Sequence, residues 1–456
     1  MIWDFVNLCN VKQARLNKVN MEVKPFKALR FDPGVVGDAG GCIAPPYDVI
    51  NSSLQKKLYE QNKYNIVRII KGQTSPSDNS ENNQYTRAAE YLNSWTEKGA
   101  LKQDSIDTIY ACVQDFDIAG EQFQRFGFIA LAKLEEFGPP GHIKPHEKTL
   151  DRPRIDRLNL RRATAADFGL VFMIYEDREK IADKIIEKVA SQKPLVDFHD
   201  EQNVRHRLFP ITEKKDIDAI TKMMTDKNCI IADGHHRYET ALIYSKETAN
   251  PAAAYQMVSL ANTCHEGLVI LATHRVVDNL ENFSLDNLLN GLKENFKITQ
   301  HSFKSNDTKE QTKQKMLAQM KAEHDKGAFG IYADRNAFYV AVLKDKKVMN
   351  SINPNASAAW NQLDVSILHK LILEKLLGID EERLASGSNV EYIKDTNNAI
   401  DESIAMVDKG QKQAAFFLNP VKMEHLKMVT DAGEKMPQKS TYFFPKMYSG
   451  MVINKL

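Results

Sequence analysis

The feature that most constrains the fold is a junction at residues 229–244, CIIADGHHRYETALIY, where an apolar run gives way to a helical pattern. The run CIIA is typical of a buried strand, and the residues after the two histidines have the spacing of a helix. Gly234 lies at the change of direction, where glycine adopts backbone conformations that other residues resist. The sequence therefore predicts a strand that hands over to a helix at Asp233-Gly234.

The start of this helix is a candidate anion site. The first N–H groups of a helix have no internal partner and lie at the positive end of its dipole. His235, His236 and Arg237 add donors or positive charge, which favours phosphate. Asp233 could hold Mg²⁺, act as a base or, in the simplest alternative, only cap the helix while the histidines are structural. Zinc is disfavoured, because adjacent histidines project to different sides of a helix.

Other segments concentrate polar or rigid residues that could complete a site. PHEKTLDRPRIDRL reads as turn-rich, with a carboxylate among cations, either next to an anionic substrate or in a solvated surface loop. A Pro-Pro pair stiffens the backbone before a tyrosine and an aspartate, which is also a common architectural device. The candidates from these segments, from THRVV and from MPQKSTYFFPK are His146, Glu147, Thr149, Arg157, Tyr47, Asp48, His274, Arg275, Lys439, Ser440 and Thr441.

The remaining pattern predicts an α+β, or mixed α/β, fold, because strands and helices alternate without a strict βαβ rhythm. Residues 106–137 predict two strands joined by a turn at Gly120. VSILHKLILEKLLG predicts a strongly amphipathic helix, and AAFFLNP predicts a strand that leads into a further helix.

Composition excludes several classes of protein. The 61 basic and 60 acidic side chains give a net charge near +1, which disfavours nucleic acid and anionic membranes as partners. Five scattered cysteines indicate a reducing compartment, and no apolar run is long enough to span a bilayer, so we expect a cytoplasmic protein. The P-loop and the dinucleotide-binding glycine motif are absent from the sequence.

Several separated motifs together resemble the domain-of-unknown-function 1015 family. They are VKPFKALRF, IAPPYDVI, HEKTLDRPRIDRL, IADGHHRYETA, THRVV, LDVSILHKLILEKLLGI and MPQKSTYFFPKMYSGMVI. The resemblance runs from about Val23 to the C-terminus and leaves residues 1–20 outside as an extension. The DGHHR element is also similar to that of the free L-serine kinases, which have a ParB/sulfiredoxin-like fold.

The resemblance implies a ParB/sulfiredoxin-like catalytic region with large insertions over residues 21–290. A C-terminal α/β region, 291–456, would pack on the active site. The implied activity is transfer of a phosphoryl group from ATP, ADP or pyrophosphate to the hydroxyl of free L-serine, giving O-phosphoserine, with Mg²⁺. The alternatives are a non-catalytic nucleotide-binding regulatory module of the ParB-like type and a phosphate-releasing hydrolase.

The resemblance also implies roles for individual residues. Asp233 would be catalytic or bind Mg²⁺, and Glu147 would deprotonate the serine hydroxyl. The donor phosphates would bind Gly234, His235, His236 and Arg237. From their own chemistry, and not from the resemblance, the tail residues Lys439, Ser440 and Thr441 are expected to close over the donor. The residues expected to contact substrate are His146, Thr149, Arg157, Tyr47, Asp48, His274 and Arg275.

Overall fold

The structure is a computed structural model that describes residues 20–149, 151–334, 336–396 and 398–456. Residues 1–19 of the predicted extension lie outside this part of the chain. The strands are β1 (Val23–Lys24), β2 (Leu29–Phe31), β3 (Leu101–Gln103), β4 (Ile109–Ile118), β5 (Glu121–Lys133), β6 (Ile143–Pro145), β7 (Ala166–Asp167), β8 (Val171–Tyr175), β9 (Val196–His199), β10 (Arg205–Ile211), β11 (Cys229–Asp233), β12 (Tyr255–Asn262), β13 (Val269–Leu271), β14 (Thr273–Val277), β15 (Phe296–Ser302), β16 (Ala328–Tyr332), β17 (Ala337–Leu343), β18 (Val390–Lys394), β19 (Ala414–Leu418), β20 (Tyr442–Phe444) and β21 (Asn454–Lys455).

The helices are interspersed with these strands along the chain. They are α1 (Pro33–Val36), α2 (Ser52–Gln61), α3 (Val67–Ile70), α4 (Gln84–Glu97), α5 (Asp151–Thr164), α6 (Ile181–Val189), α7 (Lys214–Met224), α8 (His235–Glu247), α9 (Leu285–Leu292), α10 (Asn306–Ala322), α11 (Val348–Ile352), α12 (Ala358–Asn361), α13 (Asp364–Ile367), α14 (Glu381–Ser386), α15 (Ala399–Asp408) and α16 (Met423–Asp431), with a π-helix at Leu368–Glu374.

The larger sheet is mixed and carries the DGHHR junction. Its strand order is β6-β11-β8-β12-β5-β4-β10-β9, with β1 paired to β5. Strand β8 shows why both faces are covered: Val171 and Met173 face one apolar cluster, and Phe172 faces the other. Successive side chains of a strand point to opposite faces, so a continuous apolar run fits a doubly buried strand.

The smaller sheet has the order β15-β17-β16-β19-β14-β18. After it, the last residues of the chain return to the larger sheet. Strand β20 pairs with β13 and β21 pairs with β7, while Phe443 and Met447 are buried in one core cluster of the larger sheet. This return brings the tail to the DGHHR junction.

The α+β class and the two strands joined at Gly120 are confirmed. Two local predictions are wrong. The turn-rich segment becomes helix α5 from Asp151 onwards, and the predicted amphipathic helix at 365–378 is α-helical only to Ile367 before it winds as a π-helix. The ParB/sulfiredoxin-like core and the division at residue 290 stay predictions; β14 already belongs to the smaller sheet.

In the part of the chain that the structure describes, every helix is too short or too polar to cross a membrane.

Candidate functional site

The predicted junction is confirmed: β11 ends at Asp233 and α8 begins at His235. Gly234 between them has φ +90°, in the left-handed region that favours glycine. A Cβ there would lie 3.2 Å from the Arg237 guanidinium carbon and 3.3 Å from the Cα of Val171, so a side chain would be crowded as well as strained. No side chain among the described residues caps α8, so Asp233 is not its N-cap.

Asp233 is held between two cations. Its Oδ1 accepts a hydrogen bond from Lys446 Nζ at 2.9 Å, and its Oδ2 accepts one from Arg237 Nη2 at 2.9 Å. Burial alone would raise the pKa of Asp233, but Lys446 and Arg237 outweigh it and hold that pKa well below the usual range. Burial would likewise lower the pKa of Lys446, and Asp233 raises it. Both groups are therefore charged at neutral pH.

Lys446 is positioned by a buried arginine on the larger sheet. Arg125 donates to the carbonyl oxygens of Phe444 at 3.2 Å and Pro445 at 2.6 Å, and its Nε donates to Gln114 Oε1 at 3.0 Å. Gln114 in turn donates to the carbonyl of Lys446 at 3.1 Å. These contacts fix the backbone around Lys446. Its side chain is therefore already positioned to pair with Asp233.

Replacing Arg125 with methionine should lower the free energy of unfolding by about 3 kcal/mol, because it leaves buried carbonyl and amide oxygens without donors. The lost clamp should also weaken phosphate binding at Lys446. Urea denaturation and a pyrophosphate titration at a temperature where the variant stays folded would measure both. An Arg125→Met chain as stable as the wild type would contradict this role.

Glu147 reaches the same edge of the sheet because β6 runs parallel to β11. Ile143 is the register partner of Cys229 and Pro145 that of Ile231, so Glu147 follows the end of β6 where Asp233 ends β11. The carboxylate Oε1 of Glu147 accepts a hydrogen bond from the Lys439 backbone N–H at 3.2 Å. Strand pairing, rather than sequence distance, therefore brings the predicted base to the junction.

Two of the three histidines have structural contacts. His146 Nδ1 donates to the Ile231 carbonyl at 2.5 Å, its Nε2 lies 2.8 Å from Thr441 Oγ1, and its backbone N–H donates to His235 Nε2 at 3.2 Å. Burial lowers the pKa of His146 and, further, that of His235. These rings position the surrounding backbone rather than face a ligand.

His236 is the half-buried histidine of the three. Burial lowers its pKa, while the charges of Glu239 and Glu147 act in the opposite direction and Lys439 lowers it further. Its ring is therefore close to the predicted base and to the tail, which suits it to a phosphate at the start of α8.

The free energy of unfolding should fall as the pH is lowered from about 6.5. His146 and His235 have folded pKa values below the unfolded value of about 6.5, so the unfolded chain binds more protons in that window. Their contribution is therefore complete above about pH 6.5 and is lost below it, at up to about 1.4 kcal/mol per pH unit for each histidine. Denaturant unfolding at several pH values would show a shallower slope for His235→Gln; identical slopes would contradict the assignment.

Three predicted substrate residues are engaged by protein groups. Arg157 lies over the Tyr47 ring, with 4.0 Å from its guanidinium carbon to the ring centroid, and donates to the Ile70 carbonyl at 2.9 Å. Thr149 donates to Glu239 Oε2 at 2.7 Å. These contacts shape the wall of the site. A fourth residue, Asp48, is exposed, and its charge raises the pKa of Lys446.

His274 and Arg275 are buried in β14 of the smaller sheet. The Nε2 of His274 lies 3.4 Å from Asp395 Oδ1. Arg275 donates to the carbonyls of Thr273 and, at 3.1 Å, of Lys439. Neither side chain is open to a substrate, and Arg275 instead fixes the tail.

Of the three predicted tail residues, two have side chains that contact other protein groups and one has an exposed side chain. Ser440 is buried and donates to the Pro437 carbonyl, and Thr441 contacts His146. Lys439 has an exposed side chain. Lys439 is therefore the member of the three whose side chain is available to a phosphate.

One cation of the site, Lys394, was missed from the sequence. Lys394 ends β18 of the smaller sheet, and its Nζ lies 4.8 Å from the Tyr442 ring centroid, the same distance as Lys446 Nζ on that ring. Burial lowers the pKa of Lys394, and the charge of Lys446 lowers it further. No local signal marks Lys394, because only the packing of the two sheets brings it to the junction.

The predicted Mg²⁺ site at Asp233 does not fit the arrangement of its oxygens. Both carboxylate oxygens already accept hydrogen bonds from cations, and a metal ion would have to share the carboxylate with these two positive charges. Across the described ranges, no three His, Cys, Asp or Glu side chains are grouped so that they could hold a metal. The Asp233 geometry therefore suits an anchor for Lys446 better than a metal ligand.

Comparison with solved structures gives weak similarities. A free serine kinase in complex with AMP is 14% identical, with a TM-score of 0.32 over 66% of this chain and 83% of that one. A conserved hypothetical protein from Pyrococcus furiosus is 13% identical, with a TM-score of 0.30 over 66% and 87% of the two chains. SbnI with C-terminal truncation from Staphylococcus aureus is 10% identical, with a TM-score of 0.29 over 67% and 81%.

No curated protein matches the chain. The family comparison is different, because one family matches over 23–366, which is well over half of the sequence. The matched range contains the DGHHR junction, Glu147 and Arg275, whereas Lys394 and the tail with Lys446 follow it. The chain belongs to the family described as "Protein of unknown function (DUF1015)".

Proposed function

We propose that the protein is a small-molecule kinase that transfers a phosphoryl group to the hydroxyl of free L-serine, giving O-phosphoserine. The observation that carries the proposal is the convergence at one sheet edge of an uncapped helix N-terminus, a lysine anchored by Asp233 and a second carboxylate, Glu147. The donor is ATP, ADP or pyrophosphate, and the resemblance of the DGHHR element to that of free L-serine kinases names the acceptor.

The donor phosphates would bind at the start of α8. The N–H groups of the first turn have no partner within the helix, and together with the positive end of the helix dipole they favour an anion. Lys446, Lys394 and the exposed Lys439 add positive charge around this point, and phosphoryl transfer depends mainly on positioning and on such charge stabilisation. The roles proposed for His235 and Arg237 are in the backbone and in the Asp233 pair, since their side chains already have protein partners.

Glu147 would act as the general base. Its carboxylate would take the proton from the serine hydroxyl while the hydroxyl oxygen forms a bond to the terminal phosphorus of the donor. The bond from that phosphorus to the bridging oxygen breaks, and the leaving phosphate keeps the electron pair. Asp233 would hold Lys446 where negative charge builds up on the phosphate oxygens.

The proposed architecture is a ParB/sulfiredoxin-like core with insertions within residues 21–290, over which residues 291–456 close. Contacts that support this closure come from β14 and β18 of the smaller sheet, through Arg275 and Lys394. Polyphosphate donors carry Mg²⁺ in most kinases, so the proposal keeps Mg²⁺ as a companion of the donor and not as a ligand of Asp233.

The proposal is tested by incubating the full chain with L-serine, Mg²⁺ and ATP, ADP or pyrophosphate in turn, and following the products by ³¹P NMR. The expected result is a new phosphomonoester resonance that matches O-phosphoserine, with at least one donor. Release of inorganic phosphate alone would favour the hydrolase. Nucleotide binding with no turnover and salt-sensitive DNA affinity would favour the regulatory module; either result would overturn the proposal.

A further inference from the structure

A cavity of about 230 Å³ lies beside the candidate site, between the π-helix Leu368–Glu374 and the chain at 435–438. Its lining includes Trp360, His369, Tyr392 and Lys148. The volume is below the roughly 300–1,000 Å³ typical of sites for drug-sized ligands. A single flat ring system with a short polar extension is the kind of molecule that this space fits.

The π-helix gives the cavity its buried polar group. The sequence pattern predicts an ordinary amphipathic helix here, yet the chain widens into π turns. Such turns are rare in proteins, and those that occur are frequently at functional sites. His369 on this segment lines the cavity and is 8% exposed, and its Nε2 has no hydrogen-bond partner among the described residues. Burial lowers the pKa of His369 to about 3, and nearby Arg275 contributes, so the ring is neutral.

Two aromatic rings supply flat apolar surface in the same cavity. Trp360 is half-buried and packs against the cores of both sheets, which fixes its position. Tyr392 on β18 has the Arg275 guanidinium carbon 5.2 Å from its ring centroid. Aromatic rings held in this way bind flat heterocycles by stacking.

Residues that line the cavity are adjacent in sequence to residues of the proposed phosphate site, and one of them senses the charge of Glu147. Lys148 directly follows Glu147, and Gln438, which also lines the cavity, directly precedes Lys439. The charge of Glu147 raises the pKa of Tyr392, although burial is the larger cause. Residues that line the cavity are thus direct chain neighbours of Glu147 and Lys439, two residues of the proposed phosphate site.

We propose that this cavity binds the base of a nucleotide donor, with the ring between Trp360 and Tyr392 and a ring nitrogen or amino group bonded to His369. The inference rests on the proposed function, because it selects a nucleotide over pyrophosphate as the donor of the same site. A neutral imidazole with one unpartnered nitrogen suits an uncharged heterocycle, whereas pyrophosphate has no ring to stack on the aromatic side chains.

The test is calorimetric titration of the full chain with AMP and, separately, with pyrophosphate. Tyr392→Ala and His369→Ala should each weaken AMP binding about tenfold, which is in the range of a lost base–aromatic stack, and leave pyrophosphate affinity unchanged. Tyr392→Phe keeps the ring and should bind AMP as the wild type does. His301→Ala is the matched control, because His301 is half-buried on β15 with its Nε2 2.8 Å from Gln319 Oε1.

Equal AMP affinity in the wild type, Tyr392→Ala and His369→Ala would overturn the inference. So would loss of both ligands in those variants, since the phosphate site would then be the part disturbed. Pyrophosphate binding by a wild type that does not bind AMP would also overturn it and would leave phosphoryl transfer standing. If AMP binds through these residues but the chain transfers no phosphoryl group, the cavity assignment is supported and the proposed kinase function is wrong.

Discussion

Replacing Asp233 with asparagine should reduce phosphoryl transfer at least about a hundredfold, the range seen when a preorganised charge-stabilising group is removed. The amide cannot hold Lys446 and Arg237 as two ion pairs, so the lysine loses its fixed position at the phosphates. The same change should lower the free energy of unfolding by about 3 kcal/mol, because two largely buried cations lose their partner. Steady-state turnover and urea denaturation measure the two effects separately.

Asp177→Asn is the matched control for Asp233→Asn. Asp177 is also buried and its carboxylate pairs with Lys227 at 3.1 Å, but its other oxygen accepts a hydrogen bond from the Ile181 backbone N–H at the start of α6. The Asp177→Asn variant should be less stable than the wild type and keep its turnover.

Because the pKa of Asp233 lies below the unfolded value of about 3.9, the stability difference caused by Asp233→Asn should be constant above about pH 5 and shrink below about pH 4. Full turnover in Asp233→Asn would remove this residue from the mechanism.

Replacing Glu147 with glutamine should reduce turnover by about 10²–10⁴-fold while donor affinity changes little, because a general base contributes to the chemical step. The amide can still accept the hydrogen bond from the Lys439 N–H, so the tail should keep its place. The loss should therefore appear in kcat and not in the dissociation constant of the donor.

Glu176→Gln serves as the control for Glu147→Gln. Glu176 is similarly half-buried, and among the described residues its carboxylate pairs with Lys427 at 2.5 Å and Arg178 at 3.0 Å rather than with the junction. It should leave kcat unchanged. A Glu147→Gln enzyme with wild-type kcat, or one that loses donor affinity and kcat together, would show that the carboxylate has a structural role.

The junction could be predicted from the sequence because its determinants are local. An apolar run, a glycine and a helical pattern lie within 229–244, and each constrains only its neighbours. The same holds for the two strands joined at Gly120. The position of Glu147 was predicted only through the resemblance, since β6 has three residues and leaves too little pattern to show that it pairs with β11.

The rest of the site depends on long-range packing. No pattern in the sequence around Lys394 marks it as a site residue, and the return of the tail is set by β20 and β21, strands of three and two residues. The π-helix at Leu368–Glu374 has the same apolar spacing as an α-helix, so periodicity does not distinguish them. The predicted roles of His146, His274 and Arg275 in substrate contact could not be separated from structural roles before their burial was known.

A crystal structure with imidodiphosphate, a non-cleavable analogue of pyrophosphate, tests the central assignment most directly. The expected result is an anion bound at the start of α8, with oxygens within hydrogen-bond distance of the His235 and His236 backbone N–H groups and of Lys446 Nζ, and with Glu147 facing it. An anion bound only elsewhere, with the start of α8 empty, would contradict the account.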